Sequence, residues 1–164
     1  MKNKRTKLQR VIDFISMVIA VAIITSTILS YSELPETVPI YLRLDGSFES
    51  FVANKYAIFV YIGIGSVMFL ITSVLSMYPR IIVEKLKMTK VEITNENRDR
   101  QYSLAKTFIK ILGLEFIILF GYMQYSVTQA TINNVNTIGA SYLVGLAIII
   151  FSIIGYSIKS TKMK

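Results

Sequence analysis

The sequence predicts an all-α fold, an integral membrane bundle of four transmembrane helices carrying an ordered extracytoplasmic loop. Three observations lead there. Of the 164 residues, 53% are hydrophobic and only 17% charged, whereas soluble domains carry about 25% charged residues. The deficit is gathered in four apolar runs, at about 11–30, 56–78, 108–125 and 140–158, and the mean hydropathy is +0.54. The basic residues are unevenly divided between the segments that join those runs, as membrane topology requires. Residues 1–164 leave room for a single membrane domain.

Met1 to Arg10 holds Lys2, Lys4, Arg5, Lys7 and Arg10 and no acid. Val11 to Ser30 follows with about 20 largely apolar residues, enough at ~1.5 Å each to cross a hydrocarbon core about 30 Å thick. A basic start before an apolar run also describes a signal peptide, but the exit TILSYSELP offers no small-residue cleavage site, so the run reads as a retained anchor. Asp13, three residues after Arg10, is expected to form an ion pair with it at the cytoplasmic interface.

Residues 31–55 form the outer loop. Pro35 and Pro39 fix φ and push Leu34 and Val38 towards extended geometry. Asp45-Gly46 is the strongest turn signal in the chain, because Gly tolerates positive φ and Asp closes a local side-chain turn. These features predict an ordered loop.

Tyr56 to Tyr78 is a second span without a charge, stopped by Pro79. The cytoplasmic loop, 79–107, is basic, and within it Val91 to Thr94 alternates like a short strand. Thr94-Asn95-Glu96-Asn97 reads as a helix start, from which one helix runs to about Gln124. Its first part is amphipathic, with Tyr102, Ala105, Phe108, Ile109 and Leu112 on one side. A polar loop, Ser126 to Thr137, leads to the fourth span, and Lys159, Lys162 and Lys164 close the chain. Of 18 basic residues only Arg43 and Lys55 fall on the predicted outer side. The positive-inside rule therefore places the protein in the cell membrane as a multi-pass chain with both termini cytoplasmic.

Small residues at helical spacing mark expected helix contacts, since lipid supplies no hydrophobic drive between helices. They are Gly65, Thr72, Ser73 and Ser76 in the second span, Gly113 and Gly121 in the third, and Ser141, Gly145, Ser152 and Gly155 in the fourth. Glu115 is the one ionisable group well inside a span, an intramembrane polar position costing ~2.5–3.5 kcal/mol even on insertion scales. It reads either as reaching the cytoplasmic interface or pairing with a serine of the bundle, or as a proton- or ligand-coupling group.

There is no Cys and no His, which removes disulfides, thiol chemistry and imidazole catalysis or ligation. No catalytic constellation, cofactor motif or metal site is legible, and the chain is not expected to be an enzyme. The net charge of +8 sits beside the apolar runs, where it meets anionic head groups rather than nucleic acid.

The pattern Leu34-Pro35-x-x-Val38-Pro39, Asp45-Gly46 and Asn54-Lys55 resembles the bacterial membrane family called domain of unknown function 1648. Tyr78-Pro79 and Ile93-Thr94-x-Glu96-Asn97-x-x-Arg100-Gln101-Tyr102 resemble a second stretch of that family. Tyr41 stands where the family carries a histidine, and Glu49 where it often carries an acid. The same domain begins the SdpI-like immunity proteins, which protect bacteria against a secreted peptide toxin. The resemblance implies a binding, immunity or signalling protein that responds to an extracellular peptide or envelope stress. On that reading Pro35, Pro39, Tyr41, Asp45, Gly46, Glu49 and Lys55 contact the ligand, and Arg98, Arg100 and Tyr102 meet a cytoplasmic regulator or membrane lipids. Two alternatives stay open, a subunit of a larger membrane complex and a small homodimeric proton-coupled transporter using Glu115.

Overall fold

The helix least like a membrane span packs against all the others. The computed structural model describes residues 6–49, 52–89 and 91–163. It is mostly helical, with α1 (Lys7–Ser30), α2 (Val60–Met77), α3 (Arg98–Ile132) and α4 (Tyr142–Lys162). α3 packs along each of the other three, whereas α1, α2 and α4 make few contacts among themselves. Three segments are long and apolar enough to cross a membrane: Lys7–Glu33, Lys55–Met77 and Tyr142–Lys162. Only 17%, 22% and 17% of their apolar stretches are buried. α3 is the reverse, with Gln101, Lys106, Lys110, Gln124, Thr128 and Thr131 all buried. Most of the apolar surface of α1, α2 and α4 thus faces outwards while α3 turns polar side chains inwards, the arrangement expected when the surroundings are lipid.

Contacts along α3 fix the directions. Gln9 meets Thr107, Asp13 meets Lys110, and a Cβ on Gly121 would touch Ile23, so α1 and α3 run parallel. Ile62 with Gln124, Gly65 with Phe120 and Thr72 with Gly113 make α2 antiparallel to α3. Ser141 with Tyr122, Gly145 with Leu119, Ser152 with Glu115 and Ser160 with Gln101 do the same for α4. The small residues let these backbones close up. A Cβ on Gly113 would lie 2.6 Å from Thr72 Oγ1, and one on Gly145 2.8 Å from Leu119 Cδ1. Gly155 has no neighbour within 4 Å of such a Cβ. The expected contact there is corrected: Gly155 lies on the side of α4 turned away from α3.

Local chemistry sets the helix ends. Thr6 and Gln9 form a reciprocal capping box that starts α1. Tyr78 leaves helical geometry before Pro79, at φ −121° and ψ 62°, as the proline ring demands. A single π turn, Ile81–Lys85, follows. Thr94 and Asn97 exchange side-chain-to-backbone hydrogen bonds ahead of α3 (3.0 and 3.3 Å).

Three expectations are corrected. Val91 to Thr94 forms no strand, because the alternation meets no neighbouring strand among the described residues. α3 does not end near Gln124 or Tyr125 but continues through Ile132. There the Thr128 and Thr131 hydroxyls donate to the Gln124 and Val127 carbonyls, so these buried hydroxyls are satisfied within the helix. Asp13 pairs with Lys110 of α3 rather than with its neighbour Arg10.

Candidate functional site

The connection between α1 and α2 is a small hairpin. β1 (Thr37–Pro39) pairs antiparallel with β2 (Val52–Asn54), Val38 opposite Ala53. Closer to the tip, Leu42 bridges Phe48, and Arg43 N–H donates to Ser47 O (2.9 Å). Gly46 N–H donates back to Arg43 O (2.9 Å), and Gly46 has φ +80°, giving the turn with a left-handed glycine that suits a three-residue hairpin loop. Asp45 Oδ1 accepts from the backbone N–H (2.9 Å) and the hydroxyl (2.7 Å) of Ser47. The Ser47 hydroxyl and then its N–H hold the Asp45 carboxyl below the usual carboxylate range.

This hairpin is tied to the connection between α3 and α4. Ser47 bridges Thr137, Phe48 N–H donates to Asn136 O (3.0 Å), and Ile138 N–H donates to Gly46 O (2.9 Å). The Thr137 hydroxyl donates to Gly46 O, and the Tyr142 hydroxyl to Leu44 O, both at 2.9 Å. The Tyr61 hydroxyl of α2 donates to Ile40 O (2.6 Å). Beneath, Leu34, Val38, Ile58, Tyr61 and Val127 form one buried cluster. The loops at this end of the molecule therefore make one cap rather than two separate connections.

Strand alternation gives the cap a second face. Val38 points into the buried cluster, while Pro35, Thr37 and Pro39 line an open cleft of about 570 Å³. Glu49, Arg43 and Phe48 form another wall, and Thr131, Asn134 and Asn136 close it from the end of α3. The cleft offers carboxylate, guanidinium and two amides beside proline and phenyl surface, groups that suit a peptide's backbone and side chains.

Of the residues expected to contact a ligand, Pro35, Pro39 and Glu49 line this cleft. Tyr41 is exposed, and its carbonyl accepts the Glu49 N–H (3.0 Å). Asp45 builds the turn. Gly46 is buried where the two connections meet, and a Cβ there would fall 2.0 Å from Gly139 O. Lys55 reaches Glu36 (3.7 Å) and lies over the Tyr31 ring (4.9 Å), bracing the entry to α2 rather than the cleft. Among the described residues, no three acids gather to hold a metal ion.

At the opposite end, Arg98 and Arg100 are exposed. The Tyr102 hydroxyl donates to Glu84, which also pairs with Arg80 (2.7 Å). The Tyr102 hydroxyl, and then Arg80, lower the Glu84 carboxyl, and desolvation raises the Tyr102 phenol. Tyr102 thereby fixes the π turn to α3. The strongest joint here is Gln101, fully buried, whose amide donates to Ser160 O (2.9 Å) and Met163 O (2.8 Å). Its carbonyl accepts the Ser160 hydroxyl (2.8 Å). Sequence reasoning assigned Gln101 no role; its signal was a long amide on the otherwise apolar face of Ala105, Phe108 and Leu112. Gln124 was missed in the same way, and it accepts the Ile62 N–H (3.3 Å) at the first turn of α2.

Glu115 lies at mid-height of the molecule, between the Asp13–Lys110 and Ile23–Gly121 contacts of α1 with α3. Its Oε1 accepts the Ser152 hydroxyl of α4, and its Oε2 is buried without a partner among the described residues.

No family model, curated protein or solved structure matches this chain.

Proposed function

We propose that this is a multi-pass membrane protein whose four helices all cross the bilayer and whose cap binds an extracellular peptide. Three helices qualify by composition alone. α3 does not, but its ends lie at opposite ends of α2, and its C-terminal end joins the same cap as the α1–α2 connection. A helix so placed crosses whatever α2 crosses. Its length, 35 residues, corresponds to roughly 50 Å, ample for that task. Near the cap the basic residues are Arg43 and Lys55, against Glu33, Glu36, Asp45 and Glu49. The opposite end carries Lys7, Arg10, Arg80, Lys85, Lys87, Arg98, Arg100, Lys106, Lys159 and Lys162, which favours the cap outside and both termini in the cytoplasm.

The observation that carries the binding reading is the open cleft formed by the cap's proline face, Glu49 and the end of α3. An extracellular ligand could reach it directly, whereas the exposed Arg98 and Arg100 at the other end suit a cytoplasmic regulator or lipid head groups. The resemblance to SdpI-like immunity proteins gives this binding its biological sense, protection against a secreted peptide toxin.

The test is survival of a deletion strain challenged with secreted antimicrobial peptides, with membrane levels of each variant measured by blot. Deletion is expected to sensitise the strain and wild type to restore it. Glu49→Lys, which reverses one charge in the cleft wall, is expected to insert normally and fail to protect. Full protection by Glu49→Lys, or a deletion strain no more sensitive than its parent, would contradict the proposal.

A further inference from the structure

Glu115 has no role in peptide binding at the cap, yet it occupies the most demanding position in the chain. It lies about five residues beyond Lys110 along α3, roughly 7–8 Å deeper, and level with the middle of α1. Lys110 is committed to Asp13 of α1. The contact of Glu115 with α4 is to the Ser152 hydroxyl, and Oε2 is buried with no donor among the described residues.

The groups facing it do not include a cation. α1 carries no charged residue from Phe14 to Ser30, and α2 none from Val60 to Met77. α4 carries none from Tyr142 to Ile158. Its nearest titratable side chain is Tyr156, one turn beyond Ser152 and stacked on Phe108 at 4.2 Å. On α3 itself, Lys106 and Lys110 lie towards the cytoplasmic end, and no charged residue follows Glu115 before Ile132.

A carboxylate with one hydroxyl donor, no counter-ion and one bare oxygen is a poor occupant of hydrocarbon. We infer that Glu115 is a proton-binding site, holding a proton at neutral pH in the contact between α3 and α4. Taking one proton from water neutralises the group. The acid can then donate to Ser152 Oγ, which leaves the Ser152 hydroxyl to donate one turn back along α4, as serines in helices do. The remaining Oε2 is then an uncharged carbonyl-like oxygen, the cheapest polar atom to leave unpartnered. The inference rests on the proposed crossing of α3 and is independent of peptide binding.

The probe is N,N′-dicyclohexylcarbodiimide, an apolar reagent that partitions into bilayers and reacts with the acid rather than the anion. The carboxylic acid adds across one C=N bond: its oxygen bonds the central carbon and its proton passes to nitrogen. An acyl shift to nitrogen then gives a stable adduct with no leaving group. Full-length protein in native membranes at neutral pH is expected to gain one adduct, mapped to Glu115 by mass spectrometry and absent from Glu115→Gln. Ser152→Ala keeps the buried carboxyl and is expected to retain the adduct. A water-soluble carbodiimide with an amine is expected to modify Glu49 and spare Glu115. Modification of Glu115 by the water-soluble pair would overturn the membrane placement of α3, and with it the ground for the proton. No reaction of Glu115 with either reagent would overturn the proton while leaving that placement standing.

Discussion

Gly46 shows how a single residue holds the cap. Its φ of +80° disfavours any side chain, and a Cβ would fall 2.0 Å from the Gly139 carbonyl. Gly46→Ala combines backbone strain of about 1–3 kcal/mol with that clash. It is expected to lower the unfolding temperature in detergent and to free the Ile138 amide to exchange; an unchanged transition would contradict the role given to this glycine. Asp45 beside it makes the turn pH-sensitive. Its carboxyl is held below the ordinary value of 3.8 by the Ser47 hydroxyl and N–H. A depressed folded value means the contribution is present above the unfolded value and lost as pH falls through the lower folded one. Faster exchange of the Ser47 amide is therefore expected only below about pH 4, and Asp45→Asn should remove much of that dependence. At the other end, Gln101→Leu leaves the Ser160 and Met163 carbonyls without their amide donor. The expected loss is about 1–3 kcal/mol, visible as early fraying of α4 in hydrogen exchange. The Asp45-Gly46 turn was legible in the sequence because local backbone chemistry sets it. The burial of Gly46 was not, because the residues it meets lie some 90 positions away in the chain.

Between elements, the Asp13–Lys110 pair fixes the parallel register of α1 on α3. Lys110 is buried, while the Asp13 side chain is 34% exposed. Lys110→Met is thus expected to destabilise by less than the ~3–5 kcal/mol of a fully buried pair broken on one side. Adding Asp13→Leu should recover part of the loss in a thermal-unfolding series. If the double variant is no better than the single, the pair is not what sets the register. The spans of α1, α2 and α4 were readable from hydropathy because those helices show most of their surface to the surroundings. The start of α3 after Asn97 was readable too, but its end was not. Its polar residues read as a loop from Ser126 onwards, yet the helix runs to Ile132 with the Thr128 and Thr131 hydroxyls satisfied one turn back. The candidate site was half legible for the same reason. Pro35, Pro39 and Glu49 announce themselves in the outer loop, whereas Thr131, Asn134 and Asn136 join the cleft only because α3 is longer than its apolar core.

At the scale of the whole molecule, the arrangement inverts a soluble protein. Apolar helices stand outside, and a helix carrying buried glutamines and lysines and the half-buried Glu115 stands among them. Gln101, Lys110, Glu115 and Gln124 of α3 each meet a group on one of the other helices, which ties the three apolar helices to it without any hydrophobic drive between them. The cap closes one end and the Gln101 joint the other. In the proposed topology all four helices cross, with the cap outside. The natural chain has no cysteine, so single cysteines can be introduced at positions exposed to water without removing others. The most direct measurement is reaction of Leu44→Cys, Val135→Cys and Glu96→Cys with a membrane-impermeant maleimide in intact and permeabilised cells. Leu44 and Val135 are 84% and 46% exposed in the cap, and Glu96 is exposed at the far end of α3. The first two are expected to react in intact cells and Glu96→Cys only after permeabilisation. Leu44→Cys and Val135→Cys on opposite sides, or Glu96→Cys alone reacting in intact cells, would contradict the proposed topology.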